Sequence, residues 1–86
     1  MPIKVYYSEF CGPCQQVTRL IKKGRFEGEE EVTLVAIDTD EGFNEFYKQV
    51  LEHGNGAVPS AYKDNQRCSI KIADDDILLF ECPNGS

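Results

Sequence analysis

With 86 residues the chain has room for one domain, taken as residues 1–86, and for one modest core of the size a single pair of α/β layers supplies. Its 15 acidic against 9 basic residues give a formal charge of -6, which argues against a basic face for nucleic acid or anionic membrane and leaves protein or small-molecule partners. No run nears the roughly 20 apolar residues of a membrane helix, and MPIKVYYSEF lacks the basic start and apolar middle of a signal peptide, so the expected address is the cytoplasm.

The first run, IKVYY (Ile3 to Tyr7), is rich in β-branched and aromatic residues and bounded by Ser8, which predicts a strand. SEFCGPCQQV follows, with Cys11 and Cys14 separated by Gly12 and Pro13. Beyond it Val17, Leu20 and Ile21 recur at i, i+3 and i+4, with Lys22 and Lys23 in the last turn and Gly24 as the stop. This predicts a helix of about ten residues beginning near Gly12. RFEGEEE reads as a solvated charged loop, and EVTLVAI (Glu31 to Ile37) as a second strand covered on both faces. DEGFNEFYKQVLEHG is the clearest amphipathic helix, and Phe43, Phe46, Tyr47, Val50 and Leu51 are its expected core face. GNGAVPS breaks that helix. SAYKD and CSIKI then predict an antiparallel hairpin turning around Asn65 and Gln66. In ADDDILLFEC, acids precede Ile77, Leu78, Leu79 and Phe80, which predicts a short closing helix.

In the cytoplasm a close cysteine pair points to redox or metal chemistry sooner than to a permanent cross-link. A cysteine at the cap of a helix meets unpaired backbone N–H groups and the positive end of the helix dipole. The Cys11 thiol is therefore expected below its ordinary pKa range, as the nucleophile. Gly12 is read as permitting a tight turn, and Pro13 fits the first helical turn, where its missing N–H costs nothing. Cys14, one turn on, is the expected resolving thiol: Cys11 attacks a partner's disulfide and Cys14 then displaces the reduced partner. Two other readings compete with this one. Cys68 and Cys82 could complete a four-thiolate zinc set, but they lie fourteen residues apart with no second CxxC, so no metal is expected. A structural Cys11–Cys14 bridge closes too small a loop to stabilise much.

The order strand, helix, strand, helix, hairpin, helix predicts a four-stranded mixed sheet with three helices (βαβαββα), its first two strands parallel through a right-handed crossover. With Cys11-Gly12-Pro13-Cys14 at the first strand-to-helix junction and Val58-Pro59 before the third strand, the chain resembles the thioredoxin superfamily. YSEFCGPC is similar to thioredoxins, whereas the compact length resembles glutaredoxins and the small redoxins that feed ribonucleotide reductase. The resemblance implies a monomeric thiol-disulfide oxidoreductase with no bound cofactor. Its working group would be the Cys11–Cys14 disulfide, reduced by thioredoxin reductase and NADPH or by glutathione. Its partners would be disulfide-containing proteins, ribonucleotide reductase among them. The resemblance further implies a cis Pro59 covering the sulfurs and a Val58 backbone that pairs with an extended substrate. Phe10, with Tyr7, is expected to form an apolar docking rim.

Two departures bear on recharging. IKVYY supplies no acid to take a proton from the second cysteine, as thioredoxins do. No Lys or Arg lies between Lys4 and Arg19, and KIADDD stands where glutaredoxins carry glycines that hold glutathione, so Glu9 and Asp74 to Asp76 would repel its carboxylates. His53, the only histidine, is read as favouring a helix C-terminus rather than as catalytic. Cys68 and Cys82 are read as either two buried small hydrophobes or a second disulfide under the last helix, at the end of the sheet far from Cys11. A different class of function stays open: a non-enzymatic module that uses the same fold to dock a protein.

Overall fold

The computed structural model describes residues 2–28, 30–64 and 66–83. Along the chain run β1 (Ile3–Tyr7), α1 (Gly12–Lys22), β2 (Val32–Ala36), α2 (Asp40–His53), β3 (Ser60–Lys63), β4 (Gln66–Ile72) and β5 (Leu78–Glu81). The strands form one sheet in the order β2-β1-β3-β4-β5. β1 pairs in parallel with β2, from Ile3 opposite Val32 to Tyr7 opposite Ala36, and antiparallel with β3. β3–β4 and β4–β5 are antiparallel. Asn65, which the predicted hairpin turn includes, lies outside the described residues.

Period-2 alternation sorts the side chains of the sheet to two layers. Ile3 and Val5 of β1, Ala61 of β3, Cys68 of β4 and Leu78 of β5 pack with Val17, Leu20 and Ile21 of α1. Tyr6 and Tyr62 take the opposite face with Phe46 of α2. The Tyr6 hydroxyl donates to Glu45 Oε2 at 3.0 Å. Its burial and this carboxylate raise the phenol above its ordinary pKa.

The predicted closing helix is a strand. Among the described residues, the three-helix, four-stranded layout therefore gives way to two helices and five strands. The apolar run Ile77 to Phe80 is the length of a strand and too short for a stable helix. The three aspartates before it form a turn, closed by Asp76 N–H to Ala73 O (3.0 Å) and Ala73 N–H to Ile77 O (2.9 Å), with Asp76 left-handed at φ 59°. Asp is among the few non-glycine residues that adopt this conformation readily. Arg25 fixes the turn by donating to the carbonyls of Asp75 (2.7 Å) and Asp76 (3.1 Å).

The RFEGEEE segment is correspondingly not all solvated. Leu78 N–H donates to Arg25 O and Glu27 N–H donates to Leu78 O, so the segment after α1 docks on β5. Phe26 is half-buried and meets Phe80 edge-on at 6.4 Å. This covers one side of an edge strand that would otherwise be open.

α2 is capped as its sequence requires. The Thr39 hydroxyl accepts from Gly42 N–H at 3.0 Å, and Gly54, at φ 71°, closes the far end by donating to Val50 O. The expected core face is only partly right: Phe46 and Val50 face the sheet, whereas Phe43 and Tyr47 stack on each other and are exposed, as is Leu51. With one sheet face beneath it, the helix buries a narrow stripe, and residues 43, 47 and 51 fall on the side away from it.

Gly42 brings the first turn of α2 against β2. A Cβ there would collide with the carbonyl group of Ala36, backbone against backbone. The Gly42→Ala variant is expected to lose about 2 kcal/mol, the overpacking cost outweighing about 1 kcal/mol of helix propensity. A lower urea midpoint at unchanged slope is the measurement.

Candidate active site

The end of β1 delivers the chain into a loop whose backbone is tied by four hydrogen bonds. Asp38, two residues after β2, accepts from Ser8 Oγ (3.0 Å) and from Glu9 N–H (2.8 Å). The Ser8 hydroxyl in turn accepts from Phe10 N–H (3.2 Å), and its carbonyl accepts from Cys11 N–H (3.2 Å). Gln15 reaches back from α1 to Glu9 O at 3.3 Å. Asp38 was not singled out in the sequence. The signal was there: an acid closing an apolar strand lands beside the loop that follows a parallel neighbour.

Cys11 occupies the N-cap of α1 in extended conformation, and its Sγ accepts from Cys14 N–H at 3.2 Å. Cys11 Sγ is bonded to Cys14 Sγ across Cα atoms 5.2 Å apart. The two sulfurs differ in access: Cys11 is half-buried, whereas Cys14 has no exposed surface. Pro13 is in the first turn, where no intrahelical bond needs its N–H. Gly12 takes neither a positive φ nor a crowded position, and a Cβ there would meet nothing within 4 Å. The tight-turn reading of Gly12 is therefore not what its geometry requires.

The Val58–Pro59 bond is cis, and Val58 O lies 3.8 Å from Cys11 Sγ. Forty-seven residues of sequence thus return to the first cysteine. Phe10, beside Cys11, is 89% exposed, an apolar ring standing free at the site's rim. Tyr7 is half-buried and lines a shallow groove between β2 and α2 with Ala36, Thr39 and Gly42.

The remaining singled-out residues lie elsewhere. The His53 ring packs on Tyr62 at 5.1 Å beneath α2, while Gly54 supplies the cap. Asp74 to Asp76 form the β4–β5 turn and not a helix start. Cys68 and Cys82 are joined as a disulfide, with Cα atoms 4.0 Å apart, in the layer beneath α1 and not under a closing helix. Cys68 lies in mid-sheet, opposite Ala61, and lines a groove that begins at Pro13 and Pro59, closer to the site than its sequence position implied.

No family model matches the chain, and no curated protein matches it. Among solved structures it is similar to the crystal structure of the holo form of glutaredoxin C1 from Populus tremula x tremuloides. The two align with a TM-score of 0.54 at 21% identity, over 77% of this chain and 62% of that one. The fold is glutaredoxin/thioredoxin-like. The chain thus spans less than two thirds of the length of that glutaredoxin. Within the glutaredoxin-like fold, the CxxC pair stands at the β1–α1 junction and the cis proline beside it. No helix of the described chain is long and apolar enough to cross a membrane.

Proposed function

We propose that the protein is a thiol-disulfide oxidoreductase that reduces disulfides in partner proteins through Cys11 and Cys14. The observation that carries this reading is the asymmetry of the pair. Cys11 is reachable and its sulfur takes a backbone N–H at the mouth of a helix, whereas Cys14 is sealed behind it. In the reduced protein, the same N–H and the helix dipole favour negative charge on Cys11 Sγ. Its thiolate attacks one sulfur of the partner's disulfide and expels the other as thiolate, giving a mixed disulfide. Cys14 then attacks Cys11 Sγ and releases the partner's second thiolate. Two electrons pass from the dithiol to the partner, and the Cys11–Cys14 disulfide is formed. β1 places Val5 and Tyr6 in the core and offers no carboxylate, so the Cys14 proton leaves to water or another base.

An external thiol reductant must then supply two electrons to re-reduce the pair. A cytoplasmic protein reductase of the thioredoxin-reductase class, drawing on NADPH, fits better than glutathione. Glutathione brings two carboxylates to a loop that carries Glu9, is held by Asp38, and has no Lys or Arg from residue 5 to 18. The expected result is re-reduction at least about tenfold faster with thioredoxin reductase and NADPH than with glutathione and its reductase, a bias of about 1.4 kcal/mol in the barrier. Equal rates, followed by NADPH absorbance, would defeat this assignment. Ribonucleotide reductase is the first protein target to test. If the protein turns over no disulfide with any reductant yet still binds a partner, it is a docking module.

A further inference from the structure

The two bridges are alike in access and opposite in surroundings. Each joins a half-buried cysteine to a sealed one: Cys11 to Cys14, which has no exposed surface, and Cys82 to Cys68, which is 4% exposed. In the intact fold a thiol can therefore attack each bridge only at its outer sulfur, and the inner sulfur must leave as thiolate. What surrounds the inner sulfur decides whether the bridge opens.

Cys14 leaves into the first turn of α1, where backbone N–H groups and the positive end of the helix dipole favour negative charge. Cys68 has no such support. It sits in mid-strand among Val5, Val17, Leu20 and Leu78, and Gln66 O, a carbonyl oxygen, lies 3.9 Å from its Sγ. A thiolate released there would be a charge in an apolar layer, facing the negative end of a dipole. The outer sulfur is also poorly placed. Cys82 lines a groove whose charged walls, among the described residues, are Glu27, Glu30 and Glu81 against Lys63, and Lys63 is bound to Glu30 at 2.6 Å. An approaching thiolate meets net negative charge.

The element that could change these surroundings is β5. Continuing the register beyond Ser69 opposite Glu81 places Cys68 opposite Cys82, so the bridge is the next rung of the β4–β5 ladder. On its other side β5 is met only at Leu78, by the segment from Arg25 to Glu27. A strand held this way opens locally at less cost than the whole fold. Its departure would draw the fully buried Leu78 out of the layer and bring water to Cys68.

We propose that Cys68–Cys82 is a latch on β5 that thiols open only after β5 has left the sheet, whereas Cys11–Cys14 opens in the intact fold. In the opened form one thiolate of an external dithiol attacks Cys82 Sγ, the Cys68–Cys82 bond breaks, and Cys68 leaves as thiolate into water. The second thiol of the reductant then attacks its own partner sulfur in the mixed disulfide and frees Cys82. Two electrons pass to the protein, and the dithiol ends as its cyclic disulfide. Once both cysteines are thiols, β5 is held by its non-covalent contacts alone. Turnover at Cys11–Cys14 thus leaves the latch closed, and a perturbation that lifts β5 in reducing surroundings releases it.

The test is the rate at which dithiothreitol reduces each bridge, followed by acid quenching, alkylation and peptide mass. In the native protein Cys11–Cys14 is expected to be reduced at least about 10²-fold faster than Cys68–Cys82. In about 2 M urea, with the far-UV circular dichroism unchanged, the Cys68–Cys82 rate is expected to rise about tenfold and the Cys11–Cys14 rate by less than about twofold. Arg25→Ala removes the two hydrogen bonds that fix the β4–β5 turn and touches neither sulfur. It is expected to speed reduction of Cys68–Cys82 alone, by about threefold or more. Rates for the two bridges within about threefold of each other overturn the proposal, as does a Cys68–Cys82 rate unchanged by urea or by Arg25→Ala, which would mean direct attack on the intact fold. Free thiols at Cys68 and Cys82 in the resting protein overturn it too. No substrate protein enters these measurements, so their outcome is independent of the oxidoreductase reading above.

Discussion

Cys11→Ser is expected to remove disulfide reduction almost completely, by at least about 10³-fold in an insulin-disulfide assay. The reason lies in what each sulfur can reach. Cys14 has no exposed surface, so it cannot replace Cys11 as the attacking group. A serine at the cap can still accept the residue 14 N–H, so the helix start survives and the loss reports on chemistry and not on folding. Cys14→Ser is expected to behave differently. It keeps the attacking thiol and loses the resolving one, so a mixed disulfide between Cys11 and the partner accumulates and is visible as an added mass. Unchanged turnover in Cys11→Ser would rule out the assigned nucleophile. Rapid release of reduced partner by Cys14→Ser, with no external thiol present, would rule out the resolving role.

The second large effect concerns stability. Cys68 and Cys82 close a loop with a sequence separation of 14 residues, and constraint of the unfolded chain by a loop of that size is worth about 3 kcal/mol. The double variant Cys68→Ala and Cys82→Ala is expected to lose about this much and to melt about 10–20 °C lower. Alanine is the informative choice, since serine would place a hydroxyl in the core position of Cys68. The bond itself is checked by alkylating the resting protein without reductant. Mass addition at all four cysteines would show that the bridge is absent.

The parts of the fold that were legible are those fixed by local periodicity and punctuation. The alternating character of Ile3 to Tyr7, the i, i+3, i+4 recurrence of Val17, Leu20 and Ile21, and the spacing of Cys11 and Cys14 all specify their own neighbourhood. Their positions in the structure agree. What was misread depends on distant partners. Ile77 to Phe80 is ambiguous as a run of four apolar residues, and only the opposite strand and the Arg25 to Glu27 segment decide it. Phe43 and Tyr47 have helical spacing, but their exposure depends on how much sheet α2 covers. Within the site, the cis Val58–Pro59 bond beside Cys11 was accessible only through resemblance to a family. Asp38 needed the parallel β1–β2 register, which brings its carboxylate to Ser8 and Glu9.

The strand that stands in place of a closing helix also sets when the molecule can become whole. A terminal helix could form within itself as soon as it was made. β5 instead finds its place by pairing with β4 and with a segment about fifty residues earlier, and it brings the fully buried Leu78 into the layer beneath α1. Contacts this far apart in the chain raise the entropic cost of closure and slow folding. During synthesis, α1 and the first strands must therefore wait with part of their apolar layer uncovered until residues 77–81 emerge, so a strand made well after them is the one that seals the core.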